Sequence, residues 1–205
     1  MLLRAVLFDL GGVLLRTEFE APRQYLAERL GLEYDDLIHQ VFESPSARRA
    51  SLGEITVEQH WAELTRRWHR PPEEAAFLSQ QFFAGDVLDR NLLDFIRSLR
   101  PQFKTGLISN AWSDLRAFLQ RMGIEDAFDT IIISAEVGLL KPDPRIYQLA
   151  LERLQIAPYE ALFVDDFPQN ITAAKDLGMW ALQFTDPEQT LQNIRRILDG
   201  MKPAE

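Results

Sequence analysis

The stretch that most constrains this chain runs Arg4-Ala5-Val6-Leu7-Phe8-Asp9-Leu10-Gly11-Gly12-Val13-Leu14. An unbroken apolar run from Ala5 to Phe8 suits a strand buried on both faces, the condition of a strand inside a parallel sheet. The run stops at a carboxylate. Two glycines then let the backbone turn sharply and come close to a ligand. Asp9 is therefore expected at the carboxyl end of a buried strand, where open α/β sheets hold their ligands. Taken alone, the same residues also describe an Asp that closes an ordinary turn.

The later chain repeats the pattern. Strands are expected over 104–108, 130–133, 161–164 and 180–184, and helices over 91–99, 113–122, 144–154, 168–177 and 187–198. Such alternation predicts a parallel sheet covered by helices on both faces, an α/β Rossmann-like fold. Between the first strand and this region the pattern is helical only, over 22–30, 35–42, 57–68 and 73–83. Thr56 and Gln59 have the spacing of a capping box, Ser44-Pro45-Ser46 reads as a break, and Pro71-Pro72 interrupts again. The expected organisation is an α/β core of residues 1–15 and 86–205, with 16–85 inserted as an all-helical cap.

Composition narrows the function classes. A net charge of −9 argues against non-specific nucleic-acid or anionic-membrane binding, which need a positive field. It also requires that any phosphate site be made locally attractive. The chain has no cysteine, so disulfides and thiolate metal sites are excluded. Met1-Leu2-Leu3-Arg4 runs into the first strand without the pattern of a secretory signal, and no run approaches the roughly 18 apolar residues of a membrane span. A cytoplasmic protein is the expectation.

Four expected strand ends, or loops just after them, carry polar groups: Asp9, Ser109-Asn110, Lys141 and Asp165-Asp166. A parallel sheet gathers such positions on one edge. Three carboxylates meeting there would raise one another's pKa unless a cation neutralises them. A hard ion such as Mg²⁺ answers that need, because it takes oxygen ligands and leaves room for water and phosphate. Lys141 adds a positive charge, Ser109 a hydroxyl donor, and Asp9 a carboxylate able to form an aspartyl-phosphate. The set fits phosphoryl transfer. Singly, each has a plainer reading. Asp165-Asp166 could cap a helix, Ser109-Asn110 could make a turn, and Lys141 could sit on the surface.

In these motifs the chain resembles the haloacid dehalogenase-like hydrolases over essentially its whole length. The resemblance rests on Phe8-Asp9-Leu10-Gly11-Gly12-Val13-Leu14, on Leu107-Ile108-Ser109-Asn110, on Lys141-Pro142-Asp143-Pro144-Arg145-Ile146-Tyr147, and on Phe163-Val164-Asp165-Asp166 with the residues after it. It implies a sheet of order 5-4-1-2-3 and a helical-bundle cap. It implies Asp9 as nucleophile and metal ligand, and Ser109, Asn110 and Lys141 as phosphoryl holders. The implied metal set is Asp9, the main-chain carbonyl of Gly11, and Asp166, with Asp165 in support. The implied activity is that of a Mg²⁺-dependent phosphatase acting on a small phosphorylated metabolite, with a sugar 1-phosphate as one candidate.

One position departs from the pattern. Family phosphatases usually carry a second Asp two residues after the nucleophile, as acid and base for the leaving group; here it is Gly11. A 2-haloacid dehalogenase, which needs no such acid, and a non-catalytic phosphate-binding protein are the competing readings. His39, His60, His69, Arg48 and Arg49 are the polar candidates for selecting substrate in the helical insertion. Trp61 and Trp68 fall on one helical face, as core residues do. Nothing in the sequence signals an oligomeric state.

Overall fold

Asp9 ends the central strand of a parallel sheet, and the rest of the architecture follows from how that strand is covered. The structure is a computed structural model describing residues 2–100 and 102–200. Its strands are β1 (Ala5–Phe8), β2 (Leu15–Thr17), β3 (Asp86–Leu88), β4 (Lys104–Ser109), β5 (Thr130–Ile133), β6 (Ala161–Asp165) and β7 (Trp180–Gln183). Its α-helices are α1 (Ala21–Leu30), α2 (Tyr34–Glu43), α3 (Pro45–Ser51), α4 (Val57–Arg67), α5 (Ala75–Phe83), α6 (Arg90–Leu99), α7 (Leu115–Met122), α8 (Ser134–Val137), α9 (Pro144–Leu154), α10 (Pro168–Asp176) and α11 (Pro187–Gly200).

Five strands pair in parallel in the order β5-β4-β1-β6-β7. Numbered among themselves and read from the other edge, they run 5-4-1-2-3, the order the resemblance implies. Every residue of β1 is buried, because its side chains alternate between two apolar cores. Val6 and Phe8 join Leu107, Leu162 and Val164 under α6, α7 and α11. Ala5 and Leu7 join Ile108, Ile132 and Phe163 under α9 and α10. The apolar run without alternation is thus the mark of a strand with a core on each side.

Helices α1 to α5 build a third cluster around Leu26, Leu37, Val41, Trp61, Leu64, Leu78 and Phe82. The Thr56–Gln59 capping box opens α4 as expected, with Gln59 N donating to the Thr56 hydroxyl at 3.3 Å and Thr56 N to Gln59 Oε1 at 2.9 Å. Trp112, from the loop after β4, belongs to this cluster too. Its ring lies 4.7 Å from that of His60 and 5.9 Å from that of Phe83.

The structure departs from expectation in three places. Leu15–Thr17 and Asp86–Leu88 form an antiparallel pair, so Arg16 and Thr17 are extended rather than helical. Three-residue strands are too short for a period to show in sequence. Polar contacts between residues distant in sequence hold this pair: Thr17 donates to Asp86 at 2.8 Å, and Arg23 pairs with Asp86 at 2.8 Å. Ser44 does not merely break α2. Its hydroxyl accepts from Ala47 N at 3.2 Å and starts α3, which the break had hidden. The single-turn helix α8 after β5 was also not expected.

The packing of Trp112 generates a prediction. It is 8% exposed, so Trp112→Ala should cost about 3 kcal/mol of stability, the usual loss for a buried tryptophan. Denaturant unfolding measures this, and a loss below about 1 kcal/mol would show that the helical block does not depend on that ring.

Candidate active site

Register brings the acidic groups together. Phe8 lies beside Val164 of β6, so the next residues, Asp9 and Asp165, are neighbours. Asp9 N donates to Val164 O at 2.9 Å and fixes the strand end. Asp165 is fully buried and Asp9 is 6% exposed. Between them stands Lys141, whose Nζ lies 2.8 Å from Asp9 Oδ1 and donates to Asp165 Oδ2 at 2.6 Å. The main chain of Lys141 is gripped in turn: Asn110 Nδ2 donates to Lys141 O at 2.9 Å, and Lys141 N donates to Asn110 Oδ1 at 2.8 Å.

Asp9 Oδ1 also accepts from Leu10 N at 2.7 Å. Asp165 accepts from Phe167 N at 2.8 Å, and from Asn170 Nδ2 at 2.9 and 3.0 Å on its two oxygens. Asp166 contrasts with both. Its Oδ1 is buried and has no hydrogen-bond partner among the described residues. One oxygen each of Asp9, Asp165 and Asp166 falls within 4.8 Å of the others.

The electrostatics follow from this crowding. Burial pushes the Asp9 carboxyl up from 3.8 to about 7; Lys141 opposes the rise and the charge of Asp165 adds to it. Burial, then the charge of Asp165, also raises Asp166. One ammonium among three carboxylates leaves the group short of positive charge. An orphaned carboxylate oxygen in such a cluster fits a hard divalent ion with oxygen ligands.

Sequence reading and geometry meet at most positions. Asp9, Lys141, Asp165 and Asp166 come together, and Ser109 is buried at the end of β4, the strand beside β1. Asn110 is engaged through its side chain with the Lys141 main chain. The polar residues of the helical block are placed differently. His60 is fully buried; its Nε2 contacts Val41 O at 3.1 Å and its Nδ1 contacts the Ser46 hydroxyl at 2.9 Å. Burial lowers its pKa. His39 is exposed beside Glu43, Arg49 pairs with Glu63, and Arg48 and His69 are exposed. Trp61 is core, as its spacing suggested, and Trp68 packs against it at 6.3 Å.

Two residues carry more than the sequence reading gave them. Asn170 holds both oxygens of Asp165, and its position five residues after that carboxylate, on the first turn of α10, was the available signal. Gly12 has φ +75°, and a Cβ there would fall 2.1 Å from Asp166 Oδ2. The second glycine of the loop thus makes room for a carboxylate from another strand end. Gly11 differs: a Cβ there would meet nothing within 4 Å.

The family model of the haloacid dehalogenase-like hydrolases matches residues 3–178. The chain is 30% identical to bifunctional epoxide hydrolase 2 of Rattus norvegicus over 99% of its own length, and spans about 40% of that protein. It is 28% identical to a phosphorylated carbohydrates phosphatase of Thermotoga maritima, covering 86% of this chain and 82% of that protein. Among solved structures, a HAD family enzyme of Bacteroides thetaiotaomicron in complex with magnesium and inorganic phosphate shares the fold. Its TM-score is 0.74 at 20% identity, over 89% of this chain and 94% of that one. Among the described residues no helix is long and apolar enough to cross a membrane.

Two predictions follow from the geometry. Because Asp9 is held at about 7 when folded against 3.8 ordinarily, the metal-free native state binds more protons between those values. Its contribution to stability is present below the lower value and is lost as pH rises through the upper one. Urea midpoints at about pH 5 and about pH 8 should differ more in metal-free wild type than in Asp9→Asn, and equal differences would contradict the assignment. Gly12→Ala should displace Asp166 and strain the loop, lowering stability by about 1–2 kcal/mol and abolishing activity; a fully active, equally stable variant would contradict the close approach.

Proposed function

The chain belongs to the haloacid dehalogenase-like hydrolases, and on that premise we propose that it is a Mg²⁺-dependent phosphatase that passes the phosphoryl group of a small monoester to Asp9 and then to water. The observation that carries this reading is the Lys141 ammonium held between Asp9 and Asp165, beside the unpartnered Asp166 Oδ1. The phosphatase of Thermotoga maritima and the magnesium and phosphate bound in the Bacteroides thetaiotaomicron enzyme support it.

Asp9 Oδ1 is occupied by Lys141 and Leu10 N, which leaves Oδ2 to attack phosphorus. The new Asp9 O–P bond forms as the ester P–O bond breaks, and the alkoxide or aryloxide departs. Water then attacks phosphorus, the acyl phosphate bond breaks, and Asp9 returns as carboxylate with release of inorganic phosphate. Lys141 stabilises charge on the phosphoryl oxygens, and Ser109 supplies a hydroxyl donor. Asn110 keeps the Lys141 loop in place. Asp165 holds the ammonium, and Asn170 holds Asp165. Asp9, Asp166 and the Gly11 carbonyl would bind the ion, with Asp165 in support. When bound, the ion offsets the negative charge of the carboxylates and of the phosphoryl group. Residues 16–85 serve in this reading as a cap over the site that selects the substrate. A 2-haloacid dehalogenase working without metal would leave the buried Asp166 oxygen without a purpose.

Gly11 sets the choice of leaving group. No carboxyl at this position can protonate the departing oxygen, and positioned acids contribute roughly 100- to 10,000-fold. Esters that expel stable anions, such as p-nitrophenyl phosphate and sugar 1-phosphates, should therefore be hydrolysed well ahead of sugar 6-phosphates. Gly11→Asp should narrow the gap, since the position has space for a side chain. The measurement is kcat/KM in Mg²⁺ across esters graded by leaving-group pKa, and a flat dependence with chemistry rate-limiting would place the acid elsewhere. Asp9→Asn should abolish turnover with the fold intact. Retention of more than about 1% of wild-type activity, beyond the fall a lost nucleophile produces, would exclude Asp9 as nucleophile.

A further inference from the structure

Beyond the phosphoryl site, aromatic side chains gather on the loop that carries Ser109. Trp112 follows Ser109 by three positions, and the loop between them is pinned. Ala111 N donates to Ser134 Oγ at 2.9 Å, and Ala135 N donates to Ala111 O at 3.3 Å. Trp112 is therefore carried on a fixed stretch of the loop after Ser109, and its ring packs into the cluster of the helical block. Phe42 of α2 stacks on it, with centroids 6.1 Å apart and planes at 28°. The edge of Phe83 meets both rings, at 6.3 Å from Phe42 and 5.9 Å from Trp112.

Phe42 nevertheless stays 46% exposed. A ring stacked in an aromatic cluster, with half its surface left to solvent, offers a face to something else. The charges around it limit what that is. Arg23, whose guanidinium lies 5.9 Å from the Phe42 ring and 4.3 Å from that of Phe82, is already paired with Asp86 and donates to Phe82 O. It has little left for a second phosphate or a carboxylate. Phe167, directly after Asp166, is a further exposed ring, 53% exposed.

We propose that the exposed face of Phe42, backed by Trp112, is the leaving-group subsite, and that the substrate class is aryl phosphate monoesters. This rests on the phosphatase reading above and narrows it. Two separate observations converge on it: an exposed ring stacked on the tryptophan that follows Ser109 by three residues, and at Gly11 the absence of an acid, which an aryloxide can do without. Polyol leaving groups gain from neither.

The test compares 1-naphthyl phosphate with phenyl phosphate, whose leaving groups have similar acidity but different ring area. Wild type with Mg²⁺ should favour the naphthyl ester in kcat/KM roughly three- to tenfold, through KM, the range aromatic pairs contribute beyond buried area. Phe42→Leu should bring the ratio close to one. Phe42→Tyr, which keeps a ring, should retain it, and so should Tyr159→Leu, an exposed ring on the far connection before β6. Fluorescence titration of both esters into Asp9→Asn gives the same ratio as affinities, without turnover. If neither ester is hydrolysed by wild type, the phosphatase reading fails and the affinity ratio alone decides the subsite. A ratio near one in wild type, or one unmoved by Phe42→Leu, overturns the proposal.

Discussion

The buried ammonium of Lys141 is the contact on which the acidic edge of this molecule depends. Two strand-end carboxylates, Asp9 and Asp165, lie side by side because β1 and β6 are neighbours in register. Without a cation between them the pair would be one of like charges with almost no water to screen it. Lys141 supplies that cation at 2.8 and 2.6 Å. Removing one partner of such a group leaves an uncompensated buried charge, which typically costs more than the pair contributed. The hydrogen bonds around it fit that demand. Asn110 fixes the lysine's main chain, and Asn170 and Phe167 N saturate Asp165.

Asp166 is where this compensation stops. It sits in the same crowded space, its pKa is raised by burial, and it has an oxygen that no group among the described residues satisfies. The single lysine cannot offset all three carboxylates, and a cation site is what we propose for the remainder. Gly12 belongs to the same account, because only a residue without Cβ lets the loop after β1 pass this close to Asp166. The two glycines after Asp9 thus have different duties. Gly12 makes room for the Asp166 carboxylate, and Gly11 stands where phosphatases of the family usually carry an Asp.

The α/β frame was legible in the sequence because burial on two faces writes itself as runs such as Ala5-Val6-Leu7-Phe8 and Thr130-Ile131-Ile132-Ile133, and because polar groups at the ends of such runs must converge. What stayed hidden depended on contacts distant in sequence. β2 and β3 are too short to show a period and are joined across about seventy residues by Thr17, Arg23 and Asp86. His60, a candidate substrate contact by type, is instead neutral packing inside the helical block, which no helical spacing distinguishes from a surface histidine. The membership of Trp112 in that block could not be read from its place after β4. The role of Gly12 needs the position of Asp166 and cannot be seen from Gly12 alone.

The central claim is that these three carboxylates and one lysine form a divalent-cation site. Calorimetric titration of Mg²⁺ into metal-free wild type and Asp166→Ala, in buffers of differing ionisation heat near neutral pH, addresses it directly. The account predicts one saturable site per chain in wild type. Binding should be accompanied by proton release, as Asp9 is driven to its carboxylate, and should be lost or greatly weakened in Asp166→Ala. Absence of saturable binding in wild type, or equal affinity in the variant, would contradict it.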